Sequence, residues 1–251
     1  MNIRIAHLYP DLLNLYGDRG NITCLQKRCS WRGIEATVHE YRLGDELPLD
    51  ETDILFLGGG SDREQCIVSE HLQGHRDAIQ SYVESDGVLV AVCGGYQLLG
   101  HSYQQAGETI AGLSIIDSYT IAGERRLIGN VVMRCQHQQL VSAPSSATSV
   151  VGFENHAGRT YLGPAHTPLG VVTQGYGNNG EDGGEGVLYR NVIGTYLHGP
   201  LFPKNPLLAD FVIRSALQRK YSSSIALSPL DDSVEHRAHD YLTRCRLARC
   251  Q

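Results

Sequence analysis

The sequence predicts an α/β fold: an open, mostly parallel sheet flanked by helices, with extra short strands in the second half. Three observations predict it. Apolar, strand-like runs at 3–9, 36–41, 53–57 and 88–92 alternate with helical patterns at 21–32, 62–84 and 95–103. Such alternation indicates a parallel sheet with right-handed crossovers. Two of the strands end abruptly in glycines, Gly58-Gly59-Gly60 after one and Gly94-Gly95 just past the other. After about residue 112 the pattern changes to short strand-like runs with glycine-rich breaks.

Taken in order, the chain starts with Ile3-Arg4-Ile5-Ala6-His7-Leu8-Tyr9, a first strand. The run 88–92 is wholly apolar, as expected of a strand covered on both faces. In the second half, strands are expected at 127–135, 150–153, 170–175, 186–189 and 192–196, with loops at 142–149 and 176–186. Residues 205–221 read as a helix with Pro206 in its first turn. A polar gap, 222–232, precedes a last helical stretch, 233–249, rich in Arg and His, for which a solvated face is expected. The expected division is a catalytic domain over 1–221 and a polar linker with helical extension over 222–251.

Composition narrows the function. The 251 residues carry a net charge of −6 and no basic block, which argues against nucleic acid as a partner. No apolar run approaches the roughly 18 residues of a membrane span. The first residues show no charged leader and cleavage site, so no signal peptide is expected. Seven cysteines, an odd number without CxxC pairs, favour a reducing cytoplasm over a disulfide framework or zinc site. The expected location is cytoplasmic, and no metal is expected.

The most informative stretch is Val88 to Gly100. A five-residue apolar run ends at Cys93, Gly94-Gly95 comes next, and a short helical stretch begins. This is the layout of a nucleophile elbow, with a reactive side chain at a sharp strand-to-helix bend. Glycines permit the tight turn, and a helix N-terminus favours thiolate. The plain alternative is a buried core cysteine, because a free Cys packs as a small hydrophobe. Gly58-Gly59-Gly60 closes the preceding strand, where ligands gather in open α/β sheets. The N–H groups of Gly59 and Gly94 are therefore candidate oxyanion donors. A phosphate loop is disfavoured, since neither GxGxxG nor Gly-Lys-Ser/Thr is present. A thiol nucleophile needs a base. Of 11 histidines, His198 stands out at a strand end before Gly199-Pro200, and His156, in a polar segment, is its rival.

Cys93-Gly94-Gly95-Tyr96-Gln97, Tyr196-Leu197-His198-Gly199 and the glycine triplet together resemble class I glutamine amidotransferases of the CobB/CobQ-like branch. Tyr9-Pro10 and the segments 14–21, 58–65, 126–130 and 152–160 narrow the resemblance to amidotransferase subunits that pair with a MurT-like Mur ligase. The resemblance spans the chain to about residue 215. It implies a class I amidotransferase-like sheet and a heterodimer with that ligase. Cys93 would form a γ-glutamyl thioester from L-glutamine, and His198 would be general base and acid. Gly59 and Gly94 would hold the oxyanion. Gln97 would help bind glutamine, and Arg126 would hold its α-carboxylate. Ammonia would pass to the ligase, which would consume ATP to amidate the D-glutamate of lipid II to D-isoglutamine. No cofactor would be held by this chain.

Two positions depart from the pattern. Ala91 replaces the first glycine of the Gly-x-Cys-x-Gly elbow. Pro200 stands where the triad acid is expected, two residues after the histidine. Either a dyad suffices or another carboxylate, with the partner as a candidate source, completes the site, and the isolated subunit is expected to be slow. The alternatives are a cobyrinic or cobyric acid-type amidotransferase subunit and a non-catalytic scaffold that only binds a partner. The roles of Asp18 and His156 stay open at this point.

Overall fold

The computed structural model describes residues 1–14, 17–105, 107–135, 137, 140 and 148–244. It contains two six-stranded sheets. The first has the order β11-β12-β4-β3-β1-β2, from β1 (Asn2–Leu8), β2 (Glu35–Tyr41), β3 (Ile54–Leu57), β4 (Val88–Val92), β11 (Val187–Tyr189) and β12 (Val192–Thr195). All neighbours are parallel except β11, which joins β12 as an antiparallel hairpin. β3 and β4 are fully buried along their length, as the apolar runs require. The helices are α1 (Arg19–Ser30), α2 (Asp62–Gln73), α3 (Arg76–Glu84), α4 (Gly94–Leu99), α5 (Pro206–Tyr221) and α6 (Ser233–Arg244). Among the described residues, no helix is long and apolar enough to cross a membrane.

The second half forms its own sheet. Strands β5 (Ser102–Gln105), β6 (Glu108–Ala111), β7 (Ser118–Cys135), β9 (Gly170–Gln174) and β10 (Gly184–Glu185) run in the order β10-β9-β7-β5-β6, and β8 (Ser149–Leu162) pairs with β7. The β7–β8 ladder breaks between Ala122 and Leu127 and then resumes. Such a bulge bends a strand and re-aims its side chains.

Several elements differ from the sequence expectation, each for a physical reason. The single helix expected at 62–84 is two, divided at Gly74-His75. Glycine gives a helix interior little support. The helix expected at 95–103 ends at Leu99, and 102–105 instead forms β5, whose parallel pairing with β7 outweighs the local pattern. The strands expected at 127–135 and 150–153 are the last half of β7 and the first part of β8, because the remaining stretches of both carry polar and glycine residues that conceal the alternation. The expected loop at 176–186 includes β10. Of the loop expected at 142–149, residues 142–147 lie outside the described residues, as do 245–249 of the last helix.

Helix ends obey local chemistry. Ser61 precedes α2, and Glu64 reaches back to accept its N–H at 3.0 Å, a capping box. Pro206 opens α5, and Ser222 ends it in the left-handed region. α1, α5 and the chain beyond α5 are tied by ions. Arg28, 1% exposed, donates to Asp210 at 2.7 Å and, with both terminal nitrogens, to Asp232 at 2.5 and 2.9 Å. Arg32 adds a bond to Asp210 at 2.6 Å and one to the Ser228 carbonyl at 2.7 Å. Removing one member of a buried pair strands the charge of the others. Arg28→Ala is expected to cost about 3 kcal/mol of folding stability, read as a lowered urea midpoint with an unchanged slope.

Candidate active site

Adjacent strand ends converge on one point at the carboxyl edge of the first sheet. β3 leads into Gly58-Gly59-Gly60, β4 into Cys93, and β12 into His198. Cys93 occupies the bend itself, with φ +50° and ψ −107°, a conformation that L-residues with a Cβ rarely adopt. Neighbouring bonds hold it there. Its N–H donates to the Thr195 carbonyl at 2.8 Å, and its carbonyl accepts from Gln97 N–H at 3.0 Å. A Cβ on Gly94 would lie 2.9 Å from the Gln65 amide, so the buried Gln65 side chain would have to move.

Gly59 reports how closely the groups meet. A Cβ there would lie 3.2 Å from Cys93 Cβ, 3.3 Å from His198 Cε1 and 3.5 Å from Asp18 Oδ2. His198 is fully buried and interacts with both Cys93 and Asp18. Its Nδ1 lies 3.9 Å from Asp18 Oδ1, within ion-pair range and longer than a hydrogen bond. Burial opposes the imidazolium, but the negative charge of Cys93 and the Asp18 carboxylate outweigh it and push the His198 pKa up to about 10. The backbone is pinned as well. His198 N–H donates to the Phe153 carbonyl of β8 at 2.7 Å, and Lys204 Nζ donates to the His198 carbonyl at 3.3 Å and to that of Gly199.

Asp18 thus stands beside the histidine for which the sequence offers only Pro200. The sequence leaves its role open. Asp18 sits at the cap position of α1, yet it makes no capping bond. Its Oδ2 accepts from Gly59 N–H at 2.8 Å instead. The Gly59 N–H, expected to face an oxyanion, is therefore engaged by Asp18 in this structure. Gly94 begins α4, where first-turn N–H groups have no acceptor within the helix.

A cleft of about 240 Å³ opens in front of Cys93, lined among others by Gln65, Gln97, Tyr103, Arg126 and His156. The bulge in β7 delivers Arg126, and Asn155 of β8 fixes it through its side-chain oxygen at 2.7 Å and its carbonyl at 2.6 Å. Gln97 Nε2 donates to Tyr196 Oη at 3.1 Å, and that hydroxyl meets Thr160 Oγ1 at 2.6 Å. His156, the rival base, belongs to this supporting network. Its ring stacks on Tyr196 at 3.6 Å between centroids, Nδ1 bonds the Gly158 carbonyl at 2.7 Å, and Nε2 lies 3.7 Å from Glu154. Burial pushes its pKa down, towards the neutral form. The structure thus brings Cys93, His198, Gly59, Gly94, Gln97 and Arg126 together. Sequence reasoning assigned no role to Gln65, Tyr103, Asn155 or Tyr196. Tyr196 lies in the segment of His198, and Gln65 and Asn155 lie in the segments 58–65 and 152–160, which were singled out without a role for these residues.

The site thus joins a cysteine at a strained strand end, a buried histidine beside it and an arginine across the cleft. The chain belongs to the CobB/CobQ-like glutamine amidotransferase domain family, whose model matches residues 4–206. It is 40% identical over 232 residues to the lipid II isoglutaminyl synthase (glutamine-hydrolyzing) subunit GatD of Streptococcus pneumoniae (strain ATCC BAA-255 / R6), covering 92% of this chain and 86% of that protein. It is also 40% identical over 243 residues to the subunit of the same name from Staphylococcus aureus (strain N315), covering 96% and 94%. In fold it is similar to a chain of PurLQS from Thermotoga maritima, with TM-score 0.60 and 17% identity, covering 89% of this chain and all of that one.

The raised His198 pKa has a defined sign. Stabilisation from a group whose folded pKa exceeds its unfolded value is fully present below the unfolded pKa, 6.5, and is lost as pH rises through about 10. The stability advantage of the wild type over His198→Ala is expected to be level below pH 6.5 and to shrink towards pH 10, tracked by urea unfolding across that range. Asp18→Asn, which removes the charge and keeps the shape, is expected to lower kcat for glutamine about a hundredfold while leaving the far-ultraviolet circular dichroism unchanged.

Proposed function

We propose that this chain is the glutamine-hydrolysing subunit of a lipid II isoglutaminyl synthase, working with a MurT-like Mur ligase. The observation that carries the reading is Cys93, strained at the β4–α4 bend with His198 beside it and Arg126 across the cleft. The 40% identity to two GatD subunits along nearly the whole chain supports it.

In this reading Arg126 holds the α-carboxylate of L-glutamine, with Asn155 setting its plane. Cys93 and His198 act as a pair in which the imidazolium already holds the thiol's proton, and Sγ attacks the carboxamide carbon. The oxyanion forms against the Gly94 N–H, while the Gly59 N–H orients Asp18, and Asp18 orients His198. Collapse of the tetrahedral species breaks the C–N bond. His198 returns the proton to the leaving nitrogen, giving ammonia and a γ-glutamyl thioester. Water, deprotonated by His198, then hydrolyses the thioester to glutamate and restores the thiol. Ammonia passes to the ligase subunit, which consumes ATP to amidate the D-glutamate α-carboxyl. This chain itself needs no cofactor or metal. Residues 1–221 are read as the catalytic domain, 222–251 as an extension, and the enzyme as cytoplasmic.

The test uses the co-purified pair of subunits. Without added ammonium, amidated lipid II is expected only when glutamine and ATP are both supplied. With Cys93→Ala in the pair, glutamine-dependent amidation should vanish while amidation from free ammonium persists. Amidation of lipid II by this chain alone, or wild-type glutamine use by Cys93→Ala, would overturn the reading.

A further inference from the structure

Reading the protein as a glutaminase assigns a partner to two ends of the substrate, the carboxamide at Cys93 and the α-carboxylate at Arg126. The α-ammonium remains. A bound ammonium needs acceptors, and a carboxylate is the strongest on offer. Asp62, the first residue of α2, lines the same cleft as Cys93, Gln97 and Arg126.

The surroundings of Asp62 suit that role better than a helix cap. The cap of α2 is already made by Ser61 and Glu64. Two neutral donors hold the Asp62 carboxylate. Tyr103 Oη donates to Oδ1 at 3.4 Å, and the Gln105 amide, with its nitrogen turned towards Asp62, donates to Oδ2 at 2.7 Å. They orient the carboxylate without neutralising it. Two other residues of the same cleft wall point to a ligand rich in N–H donors. Gln65 and Gln97 are 3% and 4% exposed, each donates through its amide nitrogen, and each leaves its carbonyl oxygen without a hydrogen-bond partner among the described residues. Buried acceptors of this kind are costly unless something fills them.

We propose that Asp62 binds the α-ammonium group of the substrate, so that Arg126 and Asp62 together select a zwitterionic α-amino acid. This assignment rests on the glutaminase reading above. Gln65 and Gln97 add neutral acceptors for the remaining N–H groups, and Tyr103 and Gln105 fix the carboxylate.

The test compares L-glutamine with glutaramate, which keeps the carboxylate and the carboxamide and lacks the ammonium. Steady-state hydrolysis by the wild type is expected to favour glutamine at least tenfold in kcat/KM. Asp62→Asn is expected to raise KM for glutamine about tenfold, the size of one lost charge-assisted hydrogen bond, with kcat little changed and glutaramate hydrolysis unaltered. The preference between the two substrates should largely disappear. Asp62 is exposed, so the change leaves the core intact; Asp62→Ser provides a second variant. Equal losses on both substrates, or no change on either, would overturn the assignment while leaving the glutaminase reading in place. A wild-type protein that hydrolyses neither compound would remove that reading, and the assignment with it.

Discussion

The structure depends on the parallel register of three neighbouring strands. Leu57 pairs with Ala91, and Val92 with Thr195, so β3, β4 and β12 reach the carboxyl edge of the sheet at nearly the same level. The segments that leave these strand ends therefore meet one another: three glycines, a cysteine and a histidine segment. The register is itself enforced by burial, because all of these strand residues are covered on both faces. The positive φ of Cys93 costs on the order of 1–3 kcal/mol, and that strain is tolerated because the bonds to Thr195 and Gln97 and the packing of Gln65 against Gly94 leave the bend no alternative.

A second dependency runs between the two sheets. The first supplies Cys93 and His198. The second supplies the wall that faces them, with Arg126 at the β7 bulge and Asn155 and His156 on β8. A β-bridge from Phe153 to His198 fastens the two together at the reacting groups. Behind it, Thr195 Oγ1 and Tyr196 N–H both donate to the buried Glu185, at 2.6 and 2.8 Å, which anchors the segment leading to the histidine. The carboxylate of Asp18 arrives from a third direction, the segment between β1 and α1. A site assembled from so many separate segments gains orientation from each of them.

The first sheet was legible because its information is local. Runs such as Val88–Val92 declare a buried parallel strand, and Cys93-Gly94-Gly95 declares the bend that ends it. The second sheet was less so. β7 and β8 are long strands whose pairing, bulge included, is set by each other and not by their own alternation. The candidate site divides in the same way. Cys93, His198 and the glycines stand at element ends that patterning can find. The role of Asp18 stayed open in sequence because only the tertiary fold brings its carboxylate to Gly59 and His198. Asn155 and Tyr196 act by holding other residues, and their places in sequence do not say which residues they hold.

The central claim, that Cys93 is the nucleophile served by His198, is tested most directly by trapping the covalent intermediate. The protein, alone and with the proposed ligase partner, would be acid-quenched during glutamine turnover, digested and examined by mass spectrometry. The expected result is a γ-glutamyl adduct on the peptide containing Cys93, accumulating further in His198→Ala if any thioester forms there. Steady glutamine hydrolysis with no adduct on Cys93, or an adduct on a different cysteine, would contradict it.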